Sequence, residues 1–297
     1  MDAKVLVLGC TPLAAEVTKN FVLAGVGSLT LVDDTPVHSL PMAFLSMYGS
    51  SAGEEGTAGA LYAAGLQEMN PMVKVSSYQG QKNVLPDKAF LSGFHLLLCF
   101  GQDCSFLAGA NDLCRECQVK FMCAVSKGPL VWGFADLLTH DCSVNIDQNS
   151  ESDNARVSIE YAPMREVVKK SWTSMPRLDQ RQVHGFLGPW TVISQFEMSE
   201  RRQVRSEDAD QIFKLGDESM AEQRASSKFW NAEMVTQYCA GDVEYAPANA
   251  IAGGFLANDV VRIVSKVGLP MYNVLFYSII DNIAQVHNLS GGGSVHG

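Results

Sequence analysis

The sequence predicts an α/β protein: a mainly parallel β-sheet with helices on both faces, a polar insertion and a C-terminal strand pair. Short aliphatic runs without polar alternation recur along the first third, as in strands buried on both faces. Segments with helical spacing of apolar residues separate them, and Gly, Pro or Asp marks the junctions. With 297 residues, 47% of them hydrophobic, the chain is long enough to bury a substantial core.

Lys4 to Leu8 is the first such run, and Gly9 ends it. A helix then starts with Thr11 as N-cap and Pro12 in the first helical position, where a missing N–H costs nothing. Leu13, Val17, Phe21 and Ala24 share one face of it, and Gly25 stops it. Leu29 to Val32 is the second strand, closed by Asp33. Glu54 to Met69 reads as a second helix stopped by Asn70-Pro71, because the residue before proline is pushed out of the helical region. Met72 to Ser76 is a third strand, and His95 to Phe100, a helix from about Ser105 to Cys117, and Lys120 to Val125 repeat the alternation.

Residues 1–138 therefore form a Rossmann-like half. Residues 139–226 read as a polar, partly mobile insertion, with the stretch from Asn149 to Asn154 and the run Glu200-Arg201-Arg202-Gln203 giving it mixed charge. Trp172, Phe186, Trp190 and Phe196 nevertheless supply aromatic material to bury there. Residues 227–289 return to the core, with a long helix over Ala248 to Lys266 and closing strands at Val274 to Ile280 and Ile283 to Leu289. Residues 290–297 form a flexible tail.

A formal net charge of −10 argues against nucleic acid or an anionic membrane as partner, since both need surplus Lys and Arg. No apolar stretch approaches a membrane span, and Val5 to Leu8 is too short for a signal sequence. The eight cysteines are scattered, which suits reduced thiols in a soluble protein of the nucleus and cytoplasm.

A strand, a tight turn, a helix and an acid at the second strand end are the parts of a dinucleotide site, whose turn needs glycines so that backbone N–H groups can approach phosphate. Here the turn reads Gly9-Cys10-Thr11-Pro12-Leu13-Ala14. Thr11 puts a side chain where the second glycine belongs, and Pro12 removes a donor. Asp33 stands where an acid would bind ribose hydroxyls and is the single cofactor-binding candidate; a plain strand-end acid is the competing reading.

Other groups attract sharper readings. Cys114 and Cys117 form a Cys-x-x-Cys pair with no second pair to complete a zinc site. His140-Asp141-Cys142 invites a nucleophile reading, and Cys239 a similar one, but adjacency in sequence is not catalytic geometry. No residue is assigned as catalytic or as a metal ligand.

The stretch Ala24-Gly25-Val26-Gly27-Ser28-Leu29-Thr30-Leu31-Val32-Asp33-Asp34 resembles the second-strand signature of the ubiquitin-like-protein activating enzymes and their bacterial ThiF and MoeB relatives. Met69-Asn70-Pro71-Met72-Val73-Lys74-Val75 and Ile251-Ala252-Gly253-Gly254-Phe255-Leu256-Ala257-Asn258-Asp259-Val260-Val261 match in the expected order, which makes the fold ThiF-like. Among subgroups, the chain resembles the smaller, regulatory subunits of SUMO-activating heterodimers, including Tyr161-Ala162-Pro163-Met164-Arg165-Glu166 ahead of Trp172.

That resemblance implies a pseudoenzyme that binds no cofactor itself and pairs with a catalytic subunit. The partner would hold ATP and Mg, adenylate the modifier's C-terminal glycine and carry it as a cysteine thioester, so that the modifier meets this chain indirectly. Active members follow the second strand with Asn-Leu-Asn-Arg-Gln; Val37 to Leu45 contains no Arg, Asn or Gln. The lysine expected early in the second helix is replaced by Glu54-Glu55-Gly56-Thr57-Ala58, whose acids would repel a triphosphate. The expected Asp-Asn pair reads Gln102-Asp103. The resemblance also places Met42, Met47, Met69 and Met72 near the pseudo-twofold interface, with ordinary core packing as the alternative. Regulatory subunits carry an arginine-bearing helical segment before the first strand, where this sequence opens on the strand. An active ThiF-like adenylyltransferase and a nicotinamide-dependent oxidoreductase stay open as alternatives.

Overall fold

The computed structural model describes residues 2–40, 55–80, 87–145, 154–175 and 182–289. The chain alternates β1 (Lys4–Leu8), α1 (Pro12–Leu23), β2 (Ser28–Val32), α2 (Ala58–Met69), β3 (Lys74–Ser77), α3 (Lys88–Leu91), β4 (Leu96–Phe100), α4 (Cys104–Glu116) and β5 (Lys120–Lys127). There follow β6 (Leu130–Asp136), a hairpin of β7 (Thr139–Asn145) and β8 (Asn154–Glu160), then α5 (Met164–Val168), α6 (Leu187–Glu200), α7 (Ala209–Gln223), α8 (Ala232–Ala240), α9 (Ala246–Ser265), β9 (Val274–Ser278) and β10 (Ile283–His287).

The main sheet has the order β10-β9-β6-β5-β4-β1-β2-β3. Its β3-β2-β1-β4-β5 half is parallel, and β6, β9 and β10 extend it antiparallel. Each aliphatic strand feeds two cores. In β1, Val5 and Val7 join the layer beneath α1, α2 and α9, while Leu6 and Leu8 join the layer beneath α4, α6 and α8. A strand covered on both faces cannot alternate apolar with polar residues, which is why the run reads as continuous hydrophobe.

Local chemistry sets the boundaries. Thr11 caps α1 through Ala14 N–H, with Pro12 at its first position. Asn70 ends α2 with its side chain: Nδ2 donates to Val22 O at 2.8 Å and Oδ1 accepts from Met72 N–H at 3.0 Å. Helices α1 and α9 touch closely at Gly253, where an added Cβ would fall 2.6 Å from Glu16 Cβ. Asp136, fully buried at the end of β6, holds Arg115 at 2.7 Å and Asn111 at 2.8 Å, and Asn111 Oδ1 accepts from Met164 N–H. The Tyr161 to Glu166 motif is thereby tied to α4, its carbonyl at Tyr161 taking a further bond from Arg115.

Segment 139–226 supplies part of both cores in its described residues. Trp172, Phe186, Trp190 and Phe196 are buried in the same cluster as Leu6, Leu97 and Phe121. The charged run that lends the segment its polar look lies at the end of α6, whereas Leu187 to Ser194 are all buried. Asn149 to Asp153, residues 290–297, Glu54, Met42 and Met47 lie outside the described residues.

Strand β6 and the β7–β8 hairpin have no counterpart in the sequence reading. Strand β6 follows β5 through the tight Gly128 turn and takes its register from β5 and β9, whereas β7 and β8 pair with each other in a separate two-stranded sheet.

Candidate functional site: the turn after the first strand

In an open α/β sheet a ligand sits outside the carboxyl ends of the strands where the strand order reverses. Here that point lies between β1 and β4. Two helices, α1 and α4, open onto it, and each would offer unpaired N–H groups to an anion. The N–H groups of Leu13 and Ala14 on α1 and of Cys104 and Phe106 on α4 are already taken.

On the α1 side, Gly9 has φ +89°, and a Cβ there would lie 2.4 Å from Phe100 O, so only glycine closes the strand. Cys10 N–H donates to Asp33 Oδ2 at 2.6 Å, and Thr35 N–H to Asp33 Oδ1 at 2.9 Å. Both oxygens of the candidate ribose ligand therefore bind the protein's own backbone, and Asp33 is buried. Leu13 N–H donates to Glu244 Oε2 at 2.7 Å, and Ala14 N–H to Thr11 Oγ1 at 3.2 Å. Glu244 also receives Asn249 Nδ2 at 2.8 Å and the Thr11 hydroxyl. A carboxylate thus occupies the position where a phosphate would meet the helix dipole.

Burial pushes the Glu244 carboxyl up to about 7, against the pull of the Leu13 N–H, the Thr11 hydroxyl and the Asn249 amide. Thr11 fills the rest of the crevice: a Cβ at Gly101 would lie 2.7 Å from its methyl. Its carbonyl accepts from the buried Tyr62 hydroxyl at 2.7 Å.

The α4 side is filled the same way. Asp103 caps the helix through Phe106 N–H at 3.0 Å, and Glu197 from α6 accepts from Cys104 N–H and Val204 N–H, each at 3.0 Å. Burial raises the Glu197 carboxyl above its usual range. Gln102 folds back onto Phe100 O, and Gln203 closes over Gly101 O at 2.9 Å. Val37–Ser39 form a 3-10 turn and Thr57 caps α2, while Pro41 to Leu45 lie outside the described residues.

The other singled-out groups sit elsewhere. Cys114 is buried on α4 with its thiol pushed far up, and half-buried Cys117 points its sulfur toward Lys88 O at 3.9 Å. On β7, His140 and Cys142 are both buried, and burial raises the Cys142 thiol, with Asp141 adding to the effect; this is the reverse of activation. Burial lifts Cys239 to about 11. Among the described residues no group of three or more His, Cys, Asp or Glu side chains is arranged to hold a metal.

Glu244 and Glu197 carry this arrangement, and sequence reasoning missed both. Glu244 is 231 positions from Leu13, and no local spacing announces the contact.

The fold and the turn define a nucleotide-type α/β protein in which carboxylates of the chain itself meet the N-termini of α1 and α4. The ThiF family model matches residues 1–291, and the chain belongs to the ThiF family. It is similar to SUMO-activating enzyme subunit 1B-1 of Arabidopsis thaliana, 27% identical over 294 residues, covering 96% of this chain and 89% of that protein. SUMO-activating enzyme subunit 1 of Dictyostelium discoideum is 24% identical over 93% of this chain and 83% of its own length. The protein of the same name from Rattus norvegicus is 25% identical, with coverages of 93% and 84%.

Proposed function

We propose that this chain is the non-catalytic, regulatory subunit of a heterodimeric activating enzyme for a ubiquitin-like modifier of the SUMO type, acting in the nucleus and cytoplasm. A partner subunit binds ATP and Mg and performs the adenylation. The single observation that carries this reading is the Glu244 carboxylate on the N-terminus of α1. A nucleotide phosphate entering here would have to displace it and would face Asp33 as well, so like-charge repulsion and lost hydrogen bonds both oppose binding.

The names of the similar proteins support the modifier and the subunit class. A partner-facing surface is supported by exposed apolar side chains on and around α9: Val243, Tyr245, Ile251, Phe255 and Ile280. Met72, 91% exposed, adds an adaptable contact at the other side of the sheet.

Co-expression with the catalytic subunit of a SUMO-activating enzyme tests the reading. The expected result is a stable one-to-one complex that forms the modifier thioester on the partner, while calorimetry of this chain alone with ATP and Mg shows no heat. Failure to co-purify overturns the proposal. So does ATP binding with pyrophosphate exchange by the isolated chain, which favours an active adenylyltransferase.

A further inference from the structure

The end of the sheet opposite the filled turn gathers positive charge. Lys120 opens β5, and Lys266 follows α9 in the left-handed conformation. Both line one hollow of about 590 Å³, together with His95 and the Leu137 to Thr139 turn. Lys266 also borders a second hollow of about the same size that carries Arg156 from β8 and Ser265. In a chain with net charge −10, three cations line these two hollows, which join at Lys266 into one groove; Asp141 also lines the second.

These cations lack the usual compensation. Among the described residues neither Lys120 nor Lys266 forms an ion pair. The half-buried Lys120 ammonium instead donates to His140 Nδ1 at 2.7 Å, a neutral acceptor. Burial, then Lys120 and Lys266, hold His140 down to about 4, so the ring stays uncharged. Its Nε2 is buried without a partner among the described residues. Burial and then the charge of Lys266 push Lys120 down to about 8, with Asp141 and Cys142 acting in the other direction. A partly desolvated ammonium beside a second one is a poor arrangement alone and a good one around an anion, which would relieve the repulsion and supply the missing acceptor.

We propose that this groove is an oxyanion site of the phosphate class, with Lys120 and Lys266 as its charge-bearing ligands and Arg156 at its margin. The shared chemistry is a tetrahedral oxyanion with two or more charges, whether free phosphate, pyrophosphate or the phosphate of a nucleotide. It stands independently of the reading of the α1 turn, which lies at the other end of the strands.

Calorimetry on the full chain with inorganic phosphate, pyrophosphate and AMP in separate arms tests it, at low salt and near pH 8, where Lys120 is partly deprotonated. Binding should weaken at least about tenfold in the K120M/K266M double variant and be unchanged in K214M, which alters an exposed lysine on α7. It should also take up protons, seen as a dependence of the heat on buffer ionisation, because an anion raises the Lys120 pKa. Lys266 is exposed, so K266M alone keeps the test open if the double variant folds poorly. The arm that binds names the source. No binding in any arm at millimolar concentration, or binding that survives both substitutions, overturns the proposal.

Discussion

Glu244 Oε2 lies 2.7 Å from the backbone nitrogen of Leu13, so the first turn of α1 is satisfied by a side chain from the far end of the chain. The contact couples the C-terminal third to the turn after β1 and makes the stability of that coupling depend on one carboxyl group.

The first prediction concerns pH. The folded-state pKa of Glu244, about 7, lies above its ordinary value, so the folded chain holds this proton more tightly than the unfolded chain. The stability it contributes is fully present below the unfolded pKa and is lost as pH rises through about 7. E244Q should therefore gain on the parent between mildly acid and alkaline pH, by about 1–3 kcal/mol. The amide can accept from Leu13 N–H and offer a donor to Asn249 Oδ1, which is buried without a partner among the described residues. Urea unfolding at several pH values reads the difference, and parallel pH profiles for parent and variant would count against it.

E244A should behave oppositely. It leaves the Leu13 N–H and the Asn249 amide without an acceptor, for a loss of about 1–3 kcal/mol at acid pH, where the parent carboxyl is neutral. Denaturant unfolding at a fixed pH below neutrality is the check.

Two adjacent glycines on α9 should respond with opposite signs. Gly253 abuts Glu16 of α1, so G253A forces the helices apart and costs about 1–3 kcal/mol. Gly254 is exposed with nothing within 4 Å of an added Cβ, so G254A gains up to about 1 kcal/mol from helix propensity. Paired thermal melts decide this; equal shifts in the two variants would refute the packing argument.

D136A should be the most damaging of these substitutions, near 3 kcal/mol, because it strands Arg115, Asn111 and Leu138 N–H around a buried hole. R115M should cost less, since the buried Asp136 carboxyl keeps its bonds from the Asn111 amide and the Leu138 N–H. The order of the two urea midpoints is the measurement.

Thiol reactivity should be selective. Seven of the eight cysteines are buried and Cys117 is half-buried, so a thiol-specific reagent should label Cys117 first in the folded chain. C117S should remove the fast phase; its persistence would place the accessible thiol elsewhere.

What is local was legible in the residues. Lys4–Leu8 matches the expected first strand because a doubly covered strand is continuous hydrophobe, and Thr11-Pro12 and Asn70-Pro71 bound their helices through contacts within a few positions. Helix α9 and the β9–β10 pair fall within a few residues of their expected limits for the same reason. The scarcity of glycine in the turn from Gly9 to Ala14 was likewise legible there.

What fills that turn was decided only by the tertiary structure. Glu244, Glu197 and Gln203 reach it from positions far along the chain, and nothing in their neighbours marks them, because a buried carboxylate on a helix N-terminus is defined by where two elements meet. The same holds for α6, whose charged end suggested an insertion while its body covers one face of the sheet. By itself the sequence determined the alternation of strands and helices and the glycine-poor turn; long-range packing determined which side chains meet the helix N-termini beside it.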